Sequence, residues 1–318
     1  MRVRALLIVN PHATSTTPLR RDVIVRALSS AVELEVVQTR YRGHAISLAA
    51  AARHDGFGLV LTLGGDGTVN EAVNGILRDG AADQAAAADR AGSVPALAAL
   101  PGGNANVFTR AVGLPADPVD ATGQVLQALA EGRYRHIGLG LAGDRYFTFN
   151  AGLGLDAEVV RAVDGHRARG RAASTVLYLR MILRQFYRVT DRRHPALTLE
   201  RDGHPPAGPL FLGIVSNTAP WTYLGRRPVY TNRQASFDCG LDLFALRSQG
   251  TVSTLRTVSQ VLSAARPLRG RSVLTLHDQA ELTLRSARPV AFQLDGEYGG
   301  ERESVRFLSV PDALRIVV

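Results

Sequence analysis

The chain has 318 residues, 46% of them hydrophobic, with a formal net charge of +9 and an isoelectric point near 10.5. This length supports a sizeable core and favours two domains over one. No apolar run is long enough for a membrane-spanning helix. All 37 basic residues are arginine, which excludes a Schiff-base lysine and a Walker lysine, and the lone Cys239 excludes an intramolecular disulfide framework.

The N-terminus, MRVRALLIVNP, is basic and then apolar. Its apolar run is too short for a signal peptide and lacks a small-residue cleavage site, so it reads as a first strand. A helix is expected over Leu19 to Ser30, a strand over VELEVVQT, a helix over His44 to Arg53 and a strand over GLVLTL. VNEAVNGILRDG reads as a helix stopped by Gly80. Ala81 to Ser93 reads as a surface insertion, PALAAL as a strand and Val119 to Glu131 as a helix. This alternation predicts an α/β domain over 1–133, a parallel sheet with helices on both faces. From about Arg133 short alternating runs follow: YFTFNAG, PALTLERDG, GPLFLGIVSN, LDLFALR, SVLTLHDQAELTLRS, RPVAFQLDGE and SVRFLSV. They predict a β-rich antiparallel sandwich over 134–305, interrupted by one helix from Ala172 to about Val189. The last strand, ALRIVV within 306–318, is expected to return to the first domain.

Three loops follow strands at the end of the sheet where open α/β folds bind ligands. They are Asn10-Pro11-His12-Ala13-Thr14, then Gly64-Gly65-Asp66-Gly67-Thr68, and PGGNANVF from Pro101 to Phe108. A glycine turn before a helix offers backbone N–H groups to phosphate. A carboxylate there would repel phosphate unless a divalent cation lay between them. Asp66 therefore faces magnesium on a nucleotide, or it caps a tight turn; loop chemistry leaves both open. Gly138-Leu-Gly140-Leu-Ala-Gly143 leads into a strand, so it reads as a hairpin and not as a dinucleotide fingerprint.

GGDGTVNEAVNG resembles the nucleotide loop of diacylglycerol kinases, sphingosine kinases, NAD kinases and phosphofructokinases. PGGNANVFTRAVGLP, FNAGLGLDAEVV, SNTAPWTYLGRRPVYTNRQASFDCGLDLFAL and QLDGEYGG resemble further blocks of the lipid kinases, in order, over nearly the whole chain. The chain is thus similar to the bacterial diacylglycerol kinase-like lipid kinases. That resemblance implies an N-terminal domain carrying ATP, a C-terminal domain carrying the acceptor and an active site in the cleft between them. It places Asn10 to Thr14, Thr39, Gly64 to Asn70 (with Gly67, Thr68 and Val69), Gly102, Gly103 and Asn104 at ATP-contacting positions. It assigns general-base duty to one of the acids Asp295 and Glu297. Independently, an attacking hydroxyl needs a carboxylate to take its proton. The two acids share a face if the segment is a strand; they flank a hairpin turn if Gly296 bends it. In some members Asp-Gly stands where this chain has Cys239-Gly240 and contributes to a structural magnesium site; Asp238 is the remaining candidate ligand here. Asn104 replaces a common threonine, and Val107 replaces an acid.

Arg180, Arg184 and Arg188 recur on one face of the expected helix, and Arg161, Arg167, Arg169 and Arg171 precede it. The Arg-rich stretch 161–193 is either a solvated helix or a contact with anionic lipid. The reading is an ATP- and Mg2+-dependent lipid kinase, diacylglycerol being the first acceptor considered and a sphingoid base or other lipid alcohol the next. A cytoplasmic protein peripheral to the inner face of the plasma membrane is expected; a homodimer is left open. A non-catalytic nucleotide-binding regulator would not need both GGDGT and DGE. No aromatic-basic pattern supports nucleic-acid binding.

Overall fold

The computed structural model of the chain describes residues 2–13, 16–78, 94–154, 157–161, 195–225, 227–247, 250–263, 268 and 270–318. Thr14, the Ala81 to Ser93 insertion and the Ala172 to Val189 helix lie outside the described residues. The chain divides into two compact units. Unit 1 is Met1–Leu139 with Asp144–Tyr146 and Val310–Val318; unit 2 is Gly140–Gly143 with Phe147–Ser309.

Unit 1 is a parallel sheet in the order β2, β1, β3, β4. Its strands are β1 (Arg4–Val9), β2 (Glu33–Gln38), β3 (Leu59–Gly64) and β4 (Ala96–Pro101). β3 and β4 are buried along their whole length, as strands covered on both faces must be, and this explains their unbroken apolar runs. β2 is the edge, and Glu33 and Glu35 mark it with charge. The end of the chain adds to the other side, Ile316 pairing in parallel with Leu97. Around the sheet lie α1 (Pro18–Ala31), α2 (His44–His54), α3 (Asp66–Ile76), α4 (Val107–Ala111) and α5 (Pro118–Ala130). Thr17 and Asp117 cap α1 and α5 with side-chain oxygens, each just before a proline at the first helical position.

α2 and α3 cross closely. A Cβ on Gly75 would stand 2.3 Å from the carbonyl oxygen of Ile46 and 2.7 Å from Cβ of Ala49, so only glycine fits. α2 has no cap of its own: its N-cap is Gly43, at φ +88°. Glu71 of α3 supplies one instead. Its Oε1 accepts from Gly43 N at 2.7 Å and its Oε2 from Ala45 N at 3.1 Å. A buried carboxylate thereby meets the positive end of a helix. Glu71→Ala is expected to cost about 1–2 kcal/mol and to lower the thermal midpoint by roughly 2–8 °C. A calorimetric scan checks this; an unchanged midpoint would deny the cap any role.

Unit 2 is antiparallel. β7 (Asn150–Gly154), β10 (Leu212–Ser216), β13 (Leu241–Leu246) and β14 (Val273–Gln279) pair in succession. β7 also pairs with β15 (Glu281–Leu294), which pairs with β16 (Glu297–Val317) and with β8 (Leu197–Arg201), itself paired to β9 (His204–Leu210). The core gathers Phe147, Leu153, Leu199, Leu243, Leu284, Phe292 and Phe307, with the rings of Phe147 and Phe307 edge to face at 6.2 Å. β5 (Tyr134–Ala142) turns at Gly143 into β6 (Arg145–Phe147), the hairpin expected for the G-x-G-x-x-G stretch. The short pair β11 (Thr222–Leu224) and β12 (Arg227–Val229) stands as a separate ribbon.

Thr251–Leu262 is a helix, α6, in a stretch to which the sequence assigned none. Its described side chains include buried Thr257 and Gln260 and exposed Val258.

Candidate active site

In unit 1 the carboxyl ends of the parallel strands lie level, with Val9 opposite both Gln38 and Leu63, and Gly64 opposite Pro101. The loops leaving those ends are therefore neighbours. Asn10 Nδ2 donates to Thr68 Oγ1 at 3.4 Å, and Asn10 Oδ1 accepts from His12 N at 2.9 Å. Thr39 continues the β1–β2 ladder through its N–H to Val9 O. Pro11, His12 and Asn104 are exposed, and Ala13 is half-buried.

The two glycine loops rest directly on each other. Gly102 N donates to Gly64 O at 2.7 Å. A Cβ on Gly103 would stand 2.6 Å from Cα of Gly65, and one on Gly102 would stand 2.8 Å from Cα of Gly64. These glycines are needed for backbone to touch backbone, whatever ligand approaches. Asn106, itself left-handed at φ +47°, closes the second loop: its Oδ1 accepts from Gly103 N and its Nδ2 donates to Gly103 O.

Asp66 is half-buried in the first turn of α3, with Gly65 as the N-cap. Its Oδ1 accepts from Phe108 N at 3.0 Å, so the carboxylate of the first loop holds the start of α4 beyond the second. Turn cap is thus part of its role, though of α4 and not of its own helix. Magnesium is held typically by one or two carboxylates together with phosphate oxygens and water. A single carboxylate beside backbone-lined loops fits that donor set. Val69 is buried in the core, so only its backbone faces the loop chemistry. Asn70 is committed elsewhere: its Nδ2 donates to Tyr146 O at 2.9 Å, and its Oδ1 accepts from Arg145 Nη2 at 2.8 Å. Asn74 joins it, accepting from Tyr146 N and donating to Tyr146 O. Burial pushes the Tyr146 phenol above its ordinary value, so it stays protonated at neutral pH.

In unit 2, Asp295 and Gly296 form the two-residue loop of the β15–β16 hairpin, with Leu294 opposite Glu297. Both loop residues are left-handed, at φ +47° and +75°, which is the type I′ turn that Asp-Gly favours. Asp295 is only 4% exposed. Its Oδ2 accepts from Thr148 N at 2.7 Å and Thr148 Oγ1 at 2.8 Å; its Oδ1 accepts from Phe149 N at 3.0 Å and Asn150 N at 3.1 Å. Four donors occupy this carboxylate. Glu297, half-buried, is the first residue of the returning strand. Asp238 is exposed and bonded to Ser236. Nearby, Asp242 Oδ1 accepts from His277 Nδ1 at 2.7 Å and Asp278 N at 3.0 Å, while Asp278 Oδ1 accepts from Gly240 N. Among the described residues no three His, Cys, Asp or Glu side chains gather as a metal site.

Glu71, Asn106, Arg145, Thr148, Asn150 and Gln293, which make these hydrogen bonds, were not among the site residues the sequence reading named. They are three amides, an acid, an arginine and a threonine scattered among largely apolar neighbours. Their partners lie 3 to 147 residues away along the chain, and no local pattern names them.

Residues 4–141 match the family model of the diacylglycerol kinase catalytic domain. Curated diacylglycerol kinases from Staphylococcus aureus strains bovine RF122 / ET3-1 and Newman are 25% identical over 306 residues, covering 95% of this chain and 88% of theirs. A solved diacylglycerol kinase structure from Bacillus anthracis str. Sterne shares the fold, with a TM-score of 0.68 at 17% identity, covering 99% of this chain and 97% of that one. The match of residues 4–141 to the diacylglycerol kinase catalytic domain, with the likeness to curated diacylglycerol kinases along the chain, supports a lipid kinase of the bacterial diacylglycerol kinase-like type. No helix among the described residues is long and apolar enough to cross a membrane.

Proposed function

We propose that this kinase transfers the γ-phosphate of ATP to the free hydroxyl of diacylglycerol, giving phosphatidic acid and ADP. The similarity to curated diacylglycerol kinases over 95% of the chain supports that acceptor, because it runs through unit 2 as well as unit 1. Unit 1 binds the nucleotide. The loops at Asn10 to Thr14, Thr39, Gly64 to Thr68 and Gly102 to Asn104 line its phosphates, with the positive end of α3 towards them, and Asp66 faces the magnesium ion that neutralises them.

Glu297 is the general base. The saturation of Asp295 is the observation that favours it: a carboxylate already accepting four hydrogen bonds is a poor proton acceptor. Glu297 takes the hydroxyl proton as the lipid oxygen bonds to the γ-phosphorus. The bond from that phosphorus to the bridging oxygen breaks, and ADP leaves.

The test is transfer from γ-labelled ATP to diacylglycerol, sphingosine, a polyprenol and NAD in mixed micelles. Transfer to diacylglycerol, lost in both Asp66→Ala and Glu297→Ala, is expected. Transfer to sphingosine or polyprenol alone would move the acceptor to another lipid alcohol. Magnesium–ATP binding with no transfer to any acceptor would favour a regulator. The enzyme works on the cytoplasmic face of the membrane, with the Arg-rich stretch 161–193 meeting anionic headgroups. Arg161, the described member of that stretch, pairs with Glu301 at 3.0 Å. Co-sedimentation with phosphatidylglycerol vesicles and not with phosphatidylcholine vesicles is the result expected; no preference would overturn the contact.

A further inference from the structure

Two buried amides of unit 2 stand behind the hairpin that carries Glu297. Gln293 is 1% exposed and Asn150 2%, in strands whose neighbouring residues Ala151, Phe292 and Leu294 are buried and apolar. A leucine would suit either place on hydropathy, and a buried amide is costly unless every polar end is matched. Here the ends are matched in a chain. Gln293 Oε1 accepts from Gly296 N at 2.9 Å. Gln293 Nε2 donates to Asn150 Oδ1 at 2.8 Å. Asn150 Nδ2 donates to Trp221 O at 3.0 Å. The backbone of Asn150 is tied to the same turn, its O accepting from Asp295 N at 2.8 Å and its N donating to Asp295 Oδ1.

The turn is therefore gripped twice. Asp295 holds one of its two residues through the Thr148 to Asn150 backbone. Gln293 holds the other through the N–H of Gly296, the residue before Glu297. A two-residue type I′ loop has few other ways to move, so fixing both residues fixes where the next side chain starts. We propose that Gln293, braced by Asn150, is a positioning residue that sets the Glu297 carboxylate for proton transfer. This rests on Glu297 being the base. A misplacement of about 1 Å in a reacting group is worth up to about 10²-fold in rate.

The test is a cycle of Gln293→Met, Glu297→Ala and the double variant, read by kcat, KM for ATP and thermal melting. Gln293→Met is expected to lower kcat about 10- to 100-fold with KM for ATP unchanged. In the Glu297→Ala background it is expected to lower kcat no further, because it acts through the missing carboxylate. Losses that multiply, or a folded Gln293→Met with native kcat, would overturn the proposal. Should Gln293→Met not fold, Gln293→Glu carries the test. Protonated, its carboxyl can accept from Gly296 and donate to Asn150 as the amide does; ionised, it cannot donate. Its kcat relative to the native enzyme is then expected to fall as pH rises, and a constant ratio would overturn the proposal. A native kcat in Glu297→Ala would instead remove the base assignment itself.

Discussion

Glu297→Gln is expected to lower kcat by about 10²- to 10⁴-fold, the usual contribution of a general base, and to leave the fold and ATP binding as they were. The residue is half-buried on a strand end, and glutamine keeps its shape and most of its hydrogen bonding. What it removes is the ability to accept a proton. The measurement is kcat beside the dissociation constant for magnesium–ATP. A loss confined to kcat places the residue in the transfer step; a loss shared equally with ATP affinity would mean that Glu297 helps hold the nucleotide.

Asp295→Ala acts first on stability. Removing the carboxylate strands Thr148 N, Thr148 Oγ1, Phe149 N and Asn150 N in a buried setting. Breaking such a charged network costs about 3–5 kcal/mol, a fall of roughly 6–20 °C in thermal midpoint. Alanine also resists the left-handed backbone at φ +47°. Asp295→Gly accepts that conformation, so the difference between the two variants isolates backbone strain from lost hydrogen bonds. Hydrogen exchange at residues 148–150 should quicken in both. Native protection there in Asp295→Ala would show that the carboxylate is not what holds those amides.

The sequence made the parallel sheet legible because β3 and β4 are unbroken apolar runs buried on both faces and helices follow the strands at regular intervals. It also made the glycine loops legible, since each sits between a strand and a helix. It did not reveal why the glycines are needed. The contact of Gly65 with Gly103 joins residues 38 positions apart, and Asp66 meets Phe108 across 42. Periodicity carries no information at such separations. The acids at 295 and 297 illustrate a different limit. Their spacing fits a strand face or a turn equally, and only the dihedral angles at Asp295 and Gly296 decide it. Asn70, placed by resemblance among the nucleotide contacts, has its side chain bound to Arg145 and Tyr146.

The capping of α2 by Glu71 ties two helices into one kinetic object. α2 borrows its first-turn acceptor from α3, and Gly75 lets the pair cross without a gap. Neither helix can then fray alone. The amides of α2 exchange with solvent when α3 gives way as well, and the two open together as one cooperative segment. Since α3 begins at Asp66, whatever binds and quiets its first turn also slows the opening of a helix that carries no glycine loop.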